Sequence, residues 1–217
     1  MVGLRDRRKK EKENKRNLIL RCARKLFFEK GFKNVTVESI SRKADIAKGS
    51  IYLHFKSKED IYSQILLNDI ESFHRKVVSL PASGIEPAAM LCEFCRIYVE
   101  FFLNEQELFR ILMNFMLHTE HMNLPEETHA HLVKMTNRSA EITEKILTYG
   151  IERGDFSPSL NTRQMRNAIW GLMNGIISLH LFTGAPQRRE EKIRTTVQES
   201  LEVLLAGLSH GAAGKRP

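Results

Sequence analysis

The sequence predicts an all-α fold of about nine helices, and three observations carry that prediction. Apolar residues recur at i, i+3, i+4 and i+7 in one segment after another, which is the period of an amphipathic helix. The 217 residues include only 12 Gly and 6 Pro, and several of these cluster in short breaks. Alternation of the Val-Thr-Val kind, which would signal strands, is nearly absent. With 42% hydrophobic and 28% charged residues, the chain has enough apolar surface for a real core, as one compact unit or two small domains.

Each element follows in order. Residues 1–12 are dense in charge and read as a basic arm, frayed or helical. Ile19, Cys22, Ala23, Leu26 and Phe27 then form one helical stripe that stops at Gly31, a residue free to take a left-handed C-terminal conformation. Thr36 is placed to cap the next helix, with Glu38 in its first turn and Val37, Ile40, Ser41 and Ala44 keeping the period. Asp45 falls in the tight break, and Asp tolerates left-handed backbone. A second short helix opens at Ala47 or Lys48 and runs to about His54. Two short helices joined by so short a turn, behind a longer one, make a three-helix DNA-binding unit. From Ser57 a long helix carries Ile61, Ile65, Leu66, Ile70 and Phe73, and the segment from Pro81 to Pro87 is the clearest break in the chain. More helices are expected at about 88–103, 105–121, 126–152, 162–182 and 188–208, with a disordered tail at 211–217. The domains expected are 13–73 for DNA binding, with the helix-turn-helix at about 37–56, and 74–210 for effector binding and dimerisation.

Charge placement sharpens the reading. Residues 1–58 carry 18 Lys+Arg against 6 Asp+Glu, while residues 59–217 carry 16 against 20. A basic quarter on a slightly acidic body is the footprint of a module that meets a polyanion. No apolar run approaches the roughly 20 residues a bilayer needs, so no membrane partner is expected. The start of the chain shows no apolar signal segment, and three cysteines do not suggest a disulfide framework, so the expected location is cytoplasmic. No nucleophile elbow, phosphate-binding glycine loop or His-Glu metalloprotease helix is present; neither an enzyme nor a cofactor is expected.

The chemistry concentrates in Lys48-Gly49-Ser50-Ile51-Tyr52-Leu53-His54-Phe55-Lys56-Ser57-Lys58. At helical spacing Ile51 and Phe55 share an inward face, which turns Lys48, Ser50, Tyr52 and His54 elsewhere. Gly49 lets the backbone approach DNA, and the first amides of such a helix attract phosphate. Over residues 13–73 the chain resembles the tetracycline-repressor (TetR) family of bacterial regulators, on Ala23…Phe27…Lys30-Gly31-Phe32, Thr36-Val37…Ile40, Ala44, and Lys48-Gly49-Ser50-Ile51-Tyr52…His54-Phe55…Lys58. The resemblance implies that Lys48, Gly49, Ser50 and Tyr52 meet bases or the groove wall, and that Thr36, His54 and Lys58 hold phosphates. Two positions depart from the family's pattern: Asp45 stands where Gly is usual, and Ala47 where Ser or Thr often caps the recognition helix.

The resemblance weighs less on the second half. Gly150 to Phe156 looks like the family's break before its last two helices, which typically form a four-helix dimer bundle. Ile169, Leu172, Ile176, Leu201, Leu204 and Leu205 are the interface residues this implies. Gly171 and Gly175, four apart, allow close approach of a partner helix or ligand, or close core packing. The Phe- and Met-rich middle helices either line a cavity or fill a core; the family favours a cavity, lined by Phe94, Phe101, Phe102, Phe109, Met113, Met116, Trp170 and Met173. Arg96 and Arg110 are candidates for an acidic ligand group, or are simply solvated. His118, His121, His129 and His131 with nearby carboxylates offer a metal alternative, although solvated histidines are commoner. Cys92 and Cys95, three apart, are either a thiol pair or small core residues.

The expectation is a homodimeric DNA-binding repressor that releases a double-stranded operator when an unknown small, largely apolar effector binds. The alternatives are a DNA-bound interaction protein without an inducer, and a metal-responsive repressor using the four histidines.

Overall fold

The computed structural model describes residues 3–118, 124–181 and 188–210. Among them are nine α-helices and no strand: α1 (Leu4–Lys30), α2 (Val37–Ala44), α3 (Lys48–Tyr52), α4 (Lys58–Val77), α5 (Pro87–Asn104), α6 (Gln106–His118), α7 (Glu126–Arg153), α8 (Thr162–Leu181) and α9 (Arg189–His210). A short 3₁₀ turn, Leu80–Ala82, opens the Pro81–Pro87 break. The basic arm is helical, since α1 runs back to Leu4. The expected ends at His121 and Phe182, and the tail 211–217, lie outside the described residues.

The helices fall into two compact units that interleave in sequence. The first is Met1–Asp69 with Glu105–Val133, and the second is Ile70–Asn104 with Lys134–Pro217. Residues 105–133, assigned from sequence to the effector half, pack with the N-terminal unit.

In the first unit, α1 lays Ile19, Ala23, Leu26 and Phe27 into the core, and Gly31 ends the helix at φ 73° with its N–H on the Phe27 carbonyl. Phe27 and Phe32 stack on each other, and Tyr62 meets both edge-on with centroids 5.0 and 4.9 Å away. The Tyr62 hydroxyl donates to the Ile111 carbonyl at 2.8 Å, which draws α6 onto this core. Arg24 of α1 is paired with Asp69 of α4 and with Glu105 just before α6. Leu108, Phe109, Ile111, Leu112 and Phe115 of α6 are buried.

In the second unit, Phe73 meets Phe94, Tyr98 and Phe101 at 5.4–5.8 Å, and Tyr98 also packs on Phe102. Around this aromatic cluster lie Met90, Leu91, Ile142, Ile146, Ile169, Met173, Ile177, Ile193, Val197 and Leu201. The Gly150–Phe156 break works through one close contact. The Phe156 ring folds back onto Gly150, where a Cβ would overlap it, while the Asp155 and Phe156 amides both reach the Gly150 carbonyl at 2.9 and 3.1 Å.

Candidate nucleic-acid interface and effector cleft

The α2–α3 pair is built by local chemistry. Thr36 and Ser39 form a reciprocal capping box, each side-chain oxygen accepting the other's amide at 3.1 Å. Asp45 takes φ 53°, ψ 47°, the left-handed turn that its side chain tolerates, and the Ile46 amide closes onto the Ser41 carbonyl at 3.1 Å. Ala47 gives α3 no side-chain cap. This recognition helix ends two residues earlier than expected, because the amides of His54 and Phe55 both converge on the Ile51 carbonyl at 2.9 Å. Ser57 then accepts the Asp60 amide at 3.2 Å and starts α4.

Ile51 and Phe55 are buried as the spacing predicts, which leaves Lys48, Gly49 and Tyr52 on the exposed side. Tyr52 is 52% exposed and Leu53 77%, so Leu53 is an exposed apolar residue beside Tyr52 that the sequence reading passed over. A Cβ on Gly49 would meet nothing within 4 Å, so no contact inside the chain requires glycine there. Ser50 and His54 are half-buried, and Thr36 is exposed. Lys58 is committed inward: its ammonium donates to the Phe32 carbonyl at 3.0 Å and sits 4.3 Å from the Phe32 ring centroid.

The exposed surface extends onto α1. Arg16 lies 5.1 Å from the Phe55 ring centroid, and Lys12 and Lys15 share its helix face. Burial holds the His54 imidazole below its ordinary pKa, and the charges of Lys12, Lys15 and Arg16 lower it further. The sequence reading placed basic residues in an arm at 1–12. The i, i+3, i+4 spacing of Lys12, Lys15 and Arg16 was the signal that α1 itself carries a basic face.

The second unit contains a nearly filled cleft of about 10 Å³, lined by Phe94, Tyr98, Ala140, Thr143, Arg166, Ile169, Trp170 and Met173. Of the eight residues expected to line a cavity, Phe94, Trp170 and Met173 do so. Phe101 and Phe102 are spent on the aromatic cluster. Phe109, Met113 and Met116 belong to the first unit, where Phe109 is core and Met116 is exposed. The sequence reading missed Tyr98, whose hydroxyl donates to Asn174 Oδ1 at 2.7 Å, and Arg166. Arg166 also lines an open polar groove of about 610 Å³ with Glu141, Glu144, Lys145, Thr148, Tyr149, Glu152 and Arg163. Its guanidinium donates to Glu144 at 2.8 Å and to Asn167 Oδ1 at 3.0 and 3.1 Å.

The residues expected at a dimer interface are placed as follows. Ile169, Ile176 and Leu201 are buried in the unit's own core, and Leu172, Leu204 and Leu205 are half-buried. The exposed side of α8 is instead Ala168, Gly171, Gly175 and Leu179, with Leu179 60% exposed. On α9 Val203 is 75% exposed. A Cβ on Gly171 or Gly175 would meet nothing within 4 Å, which removes close core packing as their reason.

The remaining candidates separate. His121 and the side chain of His118 lie outside the described residues; His129 packs against Phe115 at 6.0 Å, and His131 is exposed. Among the described residues, no group of three or more His, Cys, Asp or Glu is placed to hold a metal. Burial pushes the Cys95 thiol up to about 12 and raises that of Cys92, the opposite of a reactive thiolate. Arg96 is paired with Glu93 at 2.7 Å, and Arg110 stacks 5.6 Å from the Phe28 ring centroid. No described helix is long and apolar enough to cross a membrane.

Comparison with known proteins places this geometry. Residues 19–65 match the family described as bacterial regulatory proteins, tetR family, and residues 84–178 match the tetracyclin repressor-like C-terminal domain. The chain is 26% identical over 163 residues to the HTH-type transcriptional repressor KstR2 of Rhodococcus jostii, covering 73% of this chain and 78% of the relative. It is 24% identical over 202 residues to the fatty acid metabolism regulator protein of Bacillus subtilis, covering 92% and 98%. Its fold matches that of the Bacillus subtilis transcriptional regulator FadR, solved in complex with stearoyl-CoA, with a TM-score of 0.72 at 20% identity over 88% of this chain and 97% of that one. The all-helical architecture, the helix-turn-helix unit and the two matched regions lead to one assignment: the chain belongs to the TetR family of DNA-binding transcriptional regulators.

Proposed function

We propose that the protein is a homodimeric repressor that reads an operator with α3 and leaves it when a small, largely apolar ligand binds the second unit. The observation that carries the DNA reading is the sidedness of α3. Ile51 and Phe55 face the core while Lys48, Gly49, Tyr52 and Leu53 face outward. Lys48 and Tyr52 are suited to base edges and the groove wall, and Leu53 to a thymine methyl. Ser50 lies beside them, and Thr36, His54, Lys12, Lys15 and Arg16 supply phosphate contacts. Two such helices about one helical turn apart, roughly 34–36 Å, would read a partly palindromic site.

Dimerisation is supported by the exposed small-residue face of α8 with Val203 of α9, where glycines allow close helix approach. Ligand release is supported by relatives named as a fatty acid metabolism regulator and as a protein solved with stearoyl-CoA. The ligand has to favour the non-binding geometry by only about 1–3 kcal/mol.

A second reading keeps the same DNA-binding unit and replaces the ligand by a protein partner. The nearly filled cleft favours it, because about 10 Å³ holds at most one water.

The test measures operator affinity by fluorescence anisotropy on DNA flanking the protein's own gene. Lys48→Ala with Tyr52→Ala should lower specific affinity at least about 30-fold, at 1–3 kcal/mol for each base contact. Light scattering should show both proteins as dimers. Unchanged affinity refutes the recognition-helix assignment, and a stable monomer at micromolar concentration refutes the dimer.

A further inference from the structure

Arg166 stands at the junction of two unlike spaces in the second unit. On one side is the apolar cleft of Phe94, Ile169, Trp170 and Met173; on the other is the open groove with Lys145 and Arg163. Its side chain is only 15% exposed, and Glu144 holds it through one oxygen at 2.8 Å. The groove lining balances three basic residues, Lys145, Arg163 and Arg166, against Glu141, Glu144 and Glu152, so the groove alone selects no sign of charge. The junction does select one. A molecule that passes from groove to cleft must displace Glu144 or slide past it. If nothing replaces that carboxylate, a largely buried guanidinium loses its charge partner, which is costly. A planar carboxylate or a phosphate replaces it directly and can form a two-point contact where Glu144 makes one.

We propose that the second unit takes an anion-headed amphiphile, with its carboxylate or phosphate replacing Glu144 on Arg166 and its apolar chain entering the cleft at Trp170. Glu144 is then a built-in stand-in for the ligand's head group, and the apolar walls at Trp170 must part to admit the chain. This deepens the ligand-responsive reading given above and rests on it.

The chain has a single tryptophan, and it lines the cleft, so its fluorescence reports filling directly. Full-length protein is titrated, below micelle formation, with hexadecanoate, palmitoyl-CoA and 1-hexadecanol. Both anions should shift Trp170 emission with affinities at least about tenfold above that of the alcohol. Whichever anion binds more tightly identifies a carboxylate or a phosphate source. Arg166→Gln should weaken the anions about tenfold and leave the alcohol nearly unchanged, and Glu144→Gln should tighten the anions several-fold. Equal affinity of the alcohol and the anions, equal losses in Arg166→Gln, or no Trp170 response at saturation overturns the proposal. Should Arg166→Gln fail to fold by circular dichroism, Glu144→Gln decides: tightening supports the site, and unchanged or weakened binding overturns it. Operator release by an amphiphile without any Trp170 response overturns this site and leaves the regulator reading standing. An anion-selective Trp170 response with the operator complex intact supports the site and overturns ligand-controlled release.

Discussion

The two units treat a half-buried arginine in opposite ways. In the first, Arg24 is fixed by two carboxylates, Asp69 and Glu105, which tie α1 to α4 and to the start of α6. In the second, Arg166 is held by one carboxylate at the edge of an apolar cleft. A charge with two fixed partners holds helices in place, whereas a charge with one exchangeable partner can be handed to something else. The difference suits the proposal that one unit presents a DNA-binding surface and the other responds to a ligand. Both units have a locked aromatic cluster, but in the second Phe94 and Tyr98 also line the cleft with Trp170 and Met173.

The largest effect expected from breaking this contrast lies at Gly150. Its position against the Phe156 ring leaves no room for a methyl group, so Gly150→Ala must displace the ring or the end of α7. Overpacking of this kind costs about 3 kcal/mol at the upper end of the usual range. In thermal unfolding followed by Trp170 emission, the midpoint should fall by roughly 6–12 °C. A midpoint within about 2 °C of the parent would show that the effector unit is soft enough to absorb the strain.

An intermediate effect should appear in the first unit as pH changes. Burial pushes the Asp69 carboxyl up to about 6 despite Arg24 beside it, and one of its oxygens, Oδ2, is buried without a hydrogen-bond partner. In the unfolded chain the group ionises near its ordinary value of 3.8. Between those values the folded protein holds the extra proton. This group's contribution is therefore fully present below about pH 4 and is lost as pH rises through 6. The expected loss is about 2 kcal/mol across that window. Denaturant titrations at pH 4, 5, 6 and 7 should show the slope in the parent and a flatter profile in Asp69→Asn. Identical profiles in the two proteins would mean that Asp69 is ionised throughout, and that the Arg24 network is firmer than its burial implies.

The contrast was legible in the sequence only in part, for physical reasons. Caps and stripes act locally, so Thr36, Asp45, Gly31 and the spacing of Ile51 and Phe55 gave the elements of the DNA-binding unit and the faces they show. Periodicity tells which face of a helix is buried but not what buries it. For that reason the packing of α6 with the first unit was not foreseen, although residues 84–178 match the C-terminal domain as a whole, and Phe109, Met113 and Met116 were grouped with Trp170. In the same way, the periodicity that marked Ile169, Ile176 and Leu201 as apolar did not show that they are buried within this chain itself. The exposed face was written in glycine and alanine instead, which carry little hydrophobic signal. Arg166 was invisible because its meaning depends on two spaces meeting at one side chain, across residues far apart in sequence.

The smallest effect expected concerns Lys58, where the family resemblance and the geometry point in different directions. As a phosphate contact, its loss would weaken binding to every duplex alike and reduce the salt dependence of affinity by about one unit in slope. As found here, the ammonium spends itself on the Phe32 carbonyl and ring, beside the Phe27–Tyr62 cluster that braces the unit. Lys58→Ala is therefore expected to cost about 1 kcal/mol of stability and to leave the salt slope unchanged. Anisotropy titrations between about 50 and 200 mM salt, with a parallel denaturant curve, separate the two roles. A slope reduced by one, with stability intact, would move Lys58 from the frame of the first unit to its DNA-facing surface. Lys12, Lys15 and Arg16 offer the internal comparison. Lys12 and Lys15 are exposed on the basic face of α1, beside the half-buried Arg16, and replacing either lysine with Gln should lower the slope where Lys58→Ala does not.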